Sequence, residues 1–371
     1  MSVVDGVSYA EITESVFDAS LSATPERWSR AFSPAELSAL DAAASAVLAA
    51  GGADQLCLAA VDAAAAALPP AVRAGWEALR DDALLRGMGF YLLRGMPTAA
   101  WGDQKSAAAF LVLSRALGAL RQQNGAGHVL GHVTDLGVSS ADPSVRVYQT
   151  RERQTFHTDS CDIVGLLALR PAKAGGDSYL VSAGAIFNAL RSRSPHLLAP
   201  LLAPLATDRR GEVPPGQAPY FLIPVFSLHE GHLNVIYQRQ YVDSAQRFAA
   251  APRLTPLARE ALDAFDALCN DPAFQVHMRL APGDVQLVHN HALLHDRSAF
   301  EDWADPALKR HLLRAWLAPP PPAPVRPLPP VFAQRFGFVA AGARGGVALE
   351  GVAPVARWVP PPSAAPAVGL A

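Results

Sequence analysis

Residues that can bind a metal ion stand close together in the segment RERQTFHTDSCD, residues 151–162. His157 and Asp159 are two positions apart. In an extended chain such residues share a face, with roughly 6–7 Å between their Cα atoms. An imidazole nitrogen and a carboxylate oxygen on one face can then reach the same ion. Asp162 is the competing carboxylate, but it lies five positions from His157. It would therefore point to the opposite face, and we expect it beside the site or in a turn.

A His-x-Asp triplet is common by chance, so the interpretation depends on a third ligand. The segment APGDVQLVHNHALLHDRSAF, residues 281–300, offers His289, His291 and His295, which we expect on one strand. All three are odd-numbered, so the alternation of side chains does not choose among them. Two histidines and one carboxylate on one face of an ion form the ligand set typical of non-haem Fe(II) oxygenases.

Two arginines follow in the segment KRHLLRAWL, residues 309–317. Arg310 and Arg314 share a strand face, which points inward if Leu313 and Leu317 point away. An iron oxygenase that uses 2-oxoglutarate needs such a cation, because one end of this cosubstrate chelates iron and the other end is a free carboxylate. The two-pronged guanidinium group suits that carboxylate.

The elements that must position these residues are mostly strands. The first ninety or so residues are rich in alanine and predict helices, of which the first is marked by a capping box at Ser33 and Glu36. GFYLLRG, residues 89–95, predicts the first strand, and DQKSAAAFLVLSRALG a further helix. Helices are also expected after Ser182 and after Thr255. Eight short apolar runs predict strands of a sandwich or barrel: VRVYQT, DIVGLLAL, SYLV, YFLIPVF, HLNVIY, FQVHMRL, DVQLVHN and HLLRAWL.

The order of four motifs, HTDS, GGDS, LLHDRSAF and RHLLRAWL, resembles the taurine dioxygenase-like (TauD/TfdA) family of Fe(II)- and 2-oxoglutarate-dependent oxygenases. The resemblance covers about residues 85–320. It implies a mainly β fold with flanking helices, a double-stranded β-helix or jelly roll, with iron between the two sheets. Three regions are then expected: a helical region at 1–84 packed on the core, the jelly roll at 85–320, and a tail rich in proline and glycine at 321–371.

The resemblance also implies roles for individual residues. His157, Asp159 and His295 would be the iron ligands, with His295 preferred because the family's distal histidine precedes a stretch like DRSAF. Arg314 would hold the distal carboxylate of 2-oxoglutarate, with Arg310 as its neighbour. Ser178 stands where the family commonly has a threonine that contacts the cosubstrate. The spacing from His295 to Arg314 is a few residues longer than in the family, which implies an insertion at 301–306.

The implied activity is a dioxygenase that uses Fe(II), 2-oxoglutarate and O₂ to oxidise, in most cases hydroxylate, a C–H bond of a small organic substrate, releasing succinate and CO₂. Related halogenases replace the carboxylate ligand by a small residue, whereas here Asp159 is present. Hydroxylation or another oxidation is therefore favoured over halogenation.

Composition limits the other partners. The 31 basic and 33 acidic residues give a net charge of −2, and without a basic cluster we expect no nucleic-acid partner. We find no apolar run of about 18 residues and no signal peptide, so we expect no membrane partner. The three cysteines, Cys57, Cys161 and Cys269, are too few and too separated for a disulfide framework, which suits a cytoplasmic protein. A homo-oligomer is possible.

Two other functions fit part of the pattern. A zinc hydrolase could use two histidines and an aspartate to activate water, but it leaves Arg314 without a role and lacks a glutamate base next to the histidine motifs. A non-catalytic jelly-roll binding protein need not keep three ligands and an arginine together. We also consider Gln123 and Asn124, in a segment where a loop would cover the substrate, as candidates for the pocket wall.

Overall fold

The structure is a computed structural model that describes residues 2–4, 7–51, 55–124, 127–141, 145–213, 216–332 and 356. Its helices are α1 (Pro34–Ala50), α2 (Leu58–Ala66), α3 (Pro70–Ala78), α4 (Thr98–Leu117), α5 (Ala183–Arg193), α6 (Leu198–Leu202), α7 (Arg239–Ala245) and α8 (Pro256–Asn270).

Its strands are β1 (Ser2–Val4), β2 (Val7–Tyr9), β3 (Ser29–Ala31), β4 (Phe90–Arg94), β5 (Ala119–Arg121), β6 (Leu130–Val133), β7 (Gln154–His157), β8 (Ile163–Arg170), β9 (Ala174–Gly175), β10 (Ser178–Ser182), β11 (Leu205–Asp208), β12 (Tyr220–Ile223), β13 (Phe226–His229), β14 (His232–Val235), β15 (Gln275–Met278), β16 (Val285–His289), β17 (Leu293–Arg297), β18 (Phe300–Glu301) and β19 (His311–Ala318).

Two sheets form the core. The major sheet has the order β3-β4-β16-β8-β19-β5, with β6 also pairing with β19, and the minor sheet has the order β15-β10-β17-β7. Buried side chains of both sheets, among them Val164 and Trp316 of the major sheet and Leu180 and Leu293 of the minor sheet, belong to one apolar cluster. The two sheets therefore face each other across a shared core, as the jelly-roll prediction requires.

The expected helices near the N-terminus cover the outer face of the major sheet. Helix α1 begins at the capping box, where Glu36 N donates to Ser33 Oγ (3.2 Å) and Ser33 N donates to Glu36 Oε2 (2.7 Å). Trp76 and the α4 side chain Phe110 share a buried cluster with Leu287 and Leu313 of the sheet. The division at residue 84 stays a prediction, since the packing here is continuous. Of the expected tail, the structure describes residues 321–332 and 356, and the rest of 321–371 lies outside the described residues.

Most of the expected strands are present, with two differences. VRVYQT does not form a strand: residues Val147–Gln149 are a 3₁₀ turn, in which Gln149 Oε1 accepts from Arg146 N (3.1 Å) and Thr150 Oγ1 donates to Val147 O (2.9 Å). These local bonds between side chains and backbone compete with strand pairing. YFLIPVF is two strands, β12 and β13, because Pro224 lies between them and cannot donate to a ladder. Within the described residues, no helix is long and apolar enough to cross a membrane.

Candidate metal centre and substrate cavity

His157, Asp159 and His295 come together between the sheets. Strands β7 and β17 are antiparallel neighbours in which His157 pairs with His295, and their ring centroids are 4.1 Å apart. The loop after β7 brings Asp159 Oδ1 to 4.0 Å from His157 Nε2. Each of the three residues offers one ligand atom, and these atoms all lie within 4.8 Å of one another. This arrangement fits one metal ion held by two imidazoles and a carboxylate.

The histidine ligand of β7 has a defined tautomer. His157 Nδ1 lies 2.9 Å from the carbonyl oxygen of Thr155, so the ring donates from Nδ1 and presents the lone pair of Nε2. Gln154 Nε2 lies 2.7 Å from that Nε2 atom and donates to the same lone pair. Burial lowers the pKa of His157, which keeps the ring in the neutral form that binds metals.

The carboxylate of Asp159 is ionised and held from several sides. Burial alone would raise its pKa, but Arg314, His295 and His157 outweigh that effect and hold the pKa well below its usual range. Arg314 Nη1 lies 3.2 Å from Oδ2, and Trp316 Nε1 donates to the same oxygen at 2.9 Å. Asp159 is therefore in the form that a cation needs as a ligand.

The expectation that three histidines share one strand was wrong. His289 ends β16 in the major sheet, His295 lies in β17 in the minor sheet, and His291 lies in the turn that joins them. His291 Nε2 instead lies 3.1 Å from Asp162 Oδ1. Asp162 lies in the bend before β8 and is not among the three clustered ligand residues. The crossing between sheets explains why alternation along the sequence could not choose the ligand.

Asn290 in this turn ties together the two segments that carry ligands. Its side chain is fully buried; Oδ1 accepts from Asp159 N (2.8 Å), while Nδ2 donates to the carbonyl oxygens of Asp159 and of Cys161, the latter at 2.9 Å. Asn290 N also donates to the carbonyl oxygen of Asp162 (2.9 Å). All hydrogen-bonding atoms of the amide are therefore used to fix the Asp159 loop against the turn that leads to His295.

Replacing Asn290 by alanine is expected to weaken metal binding by roughly tenfold or more, because partners that orient ligands typically contribute 10- to 100-fold to metal affinity. The measurement is a Co(II) or Fe(II) titration, together with the thermal unfolding of the metal-free protein. Asn188→Ala is the matched control, since Asn188 bonds the backbone of Ile12 in the same way, at 2.9 and 2.7 Å. Equal metal affinity in the two variants would show that Asn290 does not position Asp159.

A second buried cation lies beside the histidine strand. Arg310 is 3 % exposed, and its Nη1 atom has no hydrogen-bond partner among the described residues. Burial lowers the pKa of Arg310 to about 9, helped by the neighbouring Arg297, so the group is still a cation at pH 7. Gly176 has φ +74°, and a Cβ atom there would lie 2.8 Å from Arg310 Nε, so glycine leaves the space that this side chain occupies.

Arg297 is the cation next to Arg310, and both guanidinium groups lie over the Phe300 ring, at 4.8 and 5.1 Å. Ser178 is the direct cross-strand partner of Arg297, which is two positions after His295 on β17. Arg297 Nη1 donates to the carbonyl oxygen of Thr150 (3.0 Å). The cationic group of Arg310 therefore lies next to the strand that carries the ligand His295.

A cavity opens at the triad. It is lined by His157, Asp159 and Arg314, by the polar residues Arg146, Tyr148 and Tyr241, and by an apolar wall. That wall consists of Leu205, Phe221, Ile223, Val225, Ile236 and Val242. Most of it comes from the β11–β12 pair, from the chain that follows it, and from α7, outside the two main sheets.

Gln123 lies behind this cavity, not in its wall. It is 2 % exposed, its Oε1 accepts from Arg314 Nε (2.8 Å), and its Nε2 donates to the carbonyl oxygen of Arg314 (2.8 Å). Gln123 therefore holds the arginine in place.

The sequence analysis did not identify Trp316, Asn290 or Arg146 as site residues. The sequence carries no signal for Trp316 or Arg146. The position of Asn290 between two candidate ligands was a signal for Asn290.

Comparison with known proteins confirms the family. Residues 73–316 match the Taurine catabolism dioxygenase TauD, TfdA family, and the chain belongs to it. It is thus an oxidoreductase, a dioxygenase that depends on Fe(II) and 2-oxoglutarate, uses O₂ and oxidises a C–H bond of a small organic substrate. The alternatives of a zinc hydrolase and a non-catalytic binder are not favoured.

Two curated relatives are similar over much of the chain. FR-33289 synthase of Streptomyces rubellomurinus is 36% identical over 242 residues, which are 64% of this chain and 70% of that protein. Uridine-5'-phosphate dioxygenase of an Amycolatopsis species is 32% identical over 183 residues, 47% of this chain and 65% of that protein. The chain thus spans about two thirds of the length of these relatives.

Solved structures confirm the fold. Asparagine oxygenase in complex with Fe(II), 2S,3S-3-hydroxyasparagine and succinate has a TM-score of 0.60 and 21% sequence identity, covering 78% of this chain and 93% of that chain. The non-haem iron oxygenase OrfP in complex with Fe and alpha-ketoglutaric acid has a TM-score of 0.56 and 17% identity, covering 78% and 94%. The prediction of a mainly β jelly roll with flanking helices is therefore confirmed.

Proposed function

We propose that His157, Asp159 and His295 hold the iron of this dioxygenase, and that Arg310 and Ser178 hold the distal carboxylate of 2-oxoglutarate. The observation that carries the proposal is the convergence of three ligand atoms within 4.8 Å of one another, beside a buried cation. When bound, Fe(II) and 2-oxoglutarate supply the oxidising chemistry. The protein supplies ligands in the correct protonation state, a cation for the cosubstrate and a cavity that holds the substrate.

The sequence analysis expected Arg314 to hold the distal carboxylate of 2-oxoglutarate, with Arg310 as its neighbour. We propose the reverse, with Arg310 as the residue that holds this carboxylate. Arg314 already has an anionic partner in Asp159 at 3.2 Å, whereas Arg310 Nη1 has no hydrogen-bond partner among the residues described. A buried cation without a paired anion costs free energy, and a bound carboxylate removes that cost. Arg310 is also nearer to His295 in sequence than Arg314 is. With Arg310 as the cosubstrate arginine, the spacing between it and the histidine ligand is shorter than the His295–Arg314 spacing that implied an insertion at 301–306.

Arg314 then belongs to the substrate side of the iron. It lines the cavity, it is fixed by Gln123, and its guanidinium carbon lies 4.5 Å from the centre of the Tyr148 ring. From this position Arg314 orients Asp159 and presents a positive charge to the substrate. The apolar wall opposite excludes water from the reacting carbon, which protects the oxidation from side reactions.

The proposal is tested by adding Fe(II) and 2-oxoglutarate to the anaerobic protein and recording the visible spectrum. We expect a weak charge-transfer band in the wild type and in Asp162→Asn, and no band in Asp159→Asn. Asp162→Asn is the matched control, because Asp162 is a half-buried carboxylate three positions away that contacts His291 and is not one of the proposed ligands. Loss of the band in both variants, or its retention in both, would contradict the assignment of Asp159.

The cellular setting stays a proposal. Cys57, Cys161 and Cys269 are all free thiols in the structure, which supports the prediction of a reducing, cytoplasmic compartment. The homo-oligomer also stays a prediction, and light scattering of the purified protein tests it.

A further inference from the structure

A proline-rich segment that follows β19, residues 319–332, packs against the apolar wall of the cavity. We call this segment the strap. More than half of its residues are proline, which fixes one backbone angle, so the segment loses little conformational entropy when it is ordered. The strap lies beyond residues 73–316, which match the family. It is therefore a stiff element outside the part of the chain that defines the family.

Hydrogen bonds hold the middle of the strap to two neighbouring parts of the fold. Arg326 is 7 % exposed; its Nη1 atom donates to the carbonyl oxygen of Leu233 in β14 (2.7 Å), and its Nη2 atom donates to Ser15 Oγ (3.1 Å). Asn234, also in β14, donates from Nδ2 to the carbonyl oxygen of Pro327 (3.2 Å). These bonds fix the course of the strap before it reaches the cavity wall.

The end of the strap supports half of the apolar wall. Three of the six wall residues, Phe221, Ile223 and Ile236, form one buried cluster with Phe332, and two further strap residues pack against it. Among the residues that the structure describes, this cluster has no other members. Phe332 is 1 % exposed, yet it does not line the cavity. It therefore holds these three wall residues from outside the cavity.

Phe332 also contacts the turn that leads to the proposed ligand His295. The centroid of its ring lies 5.6 Å from that of His291, which is in this turn. The residue before His291 is Asn290, whose side chain accepts from Asp159 N. One aromatic ring thus lies between part of the cavity wall and the turn that fixes the Asp159 loop.

We propose that Phe332 determines how long an apolar group the cavity accepts, because it fixes the distance between the wall and the iron; this rests on the proposed function. Phe332 is a positioning residue, which acts through Phe221, Ile223 and Ile236. Protein interiors are close-packed, so removal of the supporting ring leaves space into which the wall can move. A smaller side chain at position 332 therefore deepens the cavity without changing any residue that lines it.

The test uses the anaerobic protein with Fe(II) and 2-oxoglutarate bound, titrated with the n-alkanols from 1-butanol to 1-octanol. The readout is the perturbation of the charge-transfer band. In the wild type we expect the affinity to rise about fourfold for each added methylene group until the chain fills the cavity, and then to level off. In Phe332→Ala we expect the ratio of the affinities for 1-octanol and 1-butanol to rise by at least about fourfold, the equivalent of one more methylene group, and by less in Phe332→Leu.

Phe110→Ala is the matched control. Phe110 is a fully buried phenylalanine of α4, and its cluster contains none of the six wall residues. Its loss is expected to lower stability and to leave the ratio of affinities as in the wild type. Thermal unfolding shows which variants are folded, and Phe332→Leu with Phe110→Leu gives the same comparison if an alanine variant does not fold.

An unchanged ratio in the Phe332 variants, or an equal rise in the Phe110 variants, overturns the role of Phe332. A wild type with a normal band and no response to any of the alcohols overturns this inference alone. Absence of the band in the wild type overturns the proposed function as well.

Discussion

His295→Gln is expected to reduce metal affinity and succinate formation by at least about 10³-fold, whereas His291→Gln retains both. The reason is geometric: His295 pairs directly with His157 across β7 and β17, and their ring centroids are 4.1 Å apart. Loss of a partner that only orients a ligand already costs about 10- to 100-fold, so loss of the ligand itself costs more. The measurements are a metal titration and the release of succinate from 2-oxoglutarate.

His291→Gln is the matched control for His295→Gln, because the substitution is the same and the two residues are only four positions apart. His291 is 2 % exposed and interacts with Asp162 and the ring of Phe332, so its loss is expected to lower stability without removing a ligand atom. If His291→Gln abolished metal binding and His295→Gln did not, the third ligand would lie in the turn and not in β17. Thermal unfolding of both variants without metal separates loss of fold from loss of the ligand.

Arg310→Gln is expected to weaken 2-oxoglutarate binding by roughly 30-fold or more while the metal affinity stays near that of the wild type. Removing one partner of a buried, hydrogen-bonded charge pair costs about 2–5 kcal/mol, which corresponds to at least that factor. The readout is the apparent affinity for 2-oxoglutarate, from the charge-transfer band at increasing cosubstrate concentration. High cosubstrate is expected to restore the band, since the triad is intact.

Arg314→Gln is the comparison that separates the two arginines. It removes the partner of Asp159 at 3.2 Å, so we expect a change in the position of the band and in substrate binding, with a smaller effect on 2-oxoglutarate affinity. If instead Arg314→Gln gave the larger loss of cosubstrate affinity, the original order, with Arg314 first, would be restored. Both substitutions exchange arginine for the same shorter polar side chain, so the two variants lose the same atoms and can be compared directly.

The sequence predicted the fold class, because short apolar runs indicate strands without coordinates. The three candidate ligands also lie together, although β7 ends at His157 and the loop after it, not the alternation of an extended strand, carries Asp159. The resemblance then chose His295, which the spacing alone could not do, because the chain turns from β16 in one sheet to β17 in the other between His289 and His295.

The remaining details depend on packing, which a single sequence does not record. Whether Arg310 or Arg314 lacks an anionic partner depends on where Asp159 lies. The sequence around Val147 predicts a strand. In the structure, the side chains of Gln149 and Thr150 form hydrogen bonds with the local backbone, and the segment is a turn. Arg146 in that same segment became part of the cavity wall as a result, and no spacing rule pointed to it.

The apolar wall of the cavity has a consequence for how this enzyme could change over evolution. Most of that wall belongs to the β11–β12 pair, its following chain and α7, whereas the proposed ligands and Arg310 belong to, or border, strands of the two main sheets. Mutations in the wall can therefore alter which molecule is accepted while the residues that hold iron and cosubstrate stay in place. New specificities for the same oxidation are accessible to selection, or to directed evolution in the laboratory, through a module of the fold that carries none of the proposed ligands.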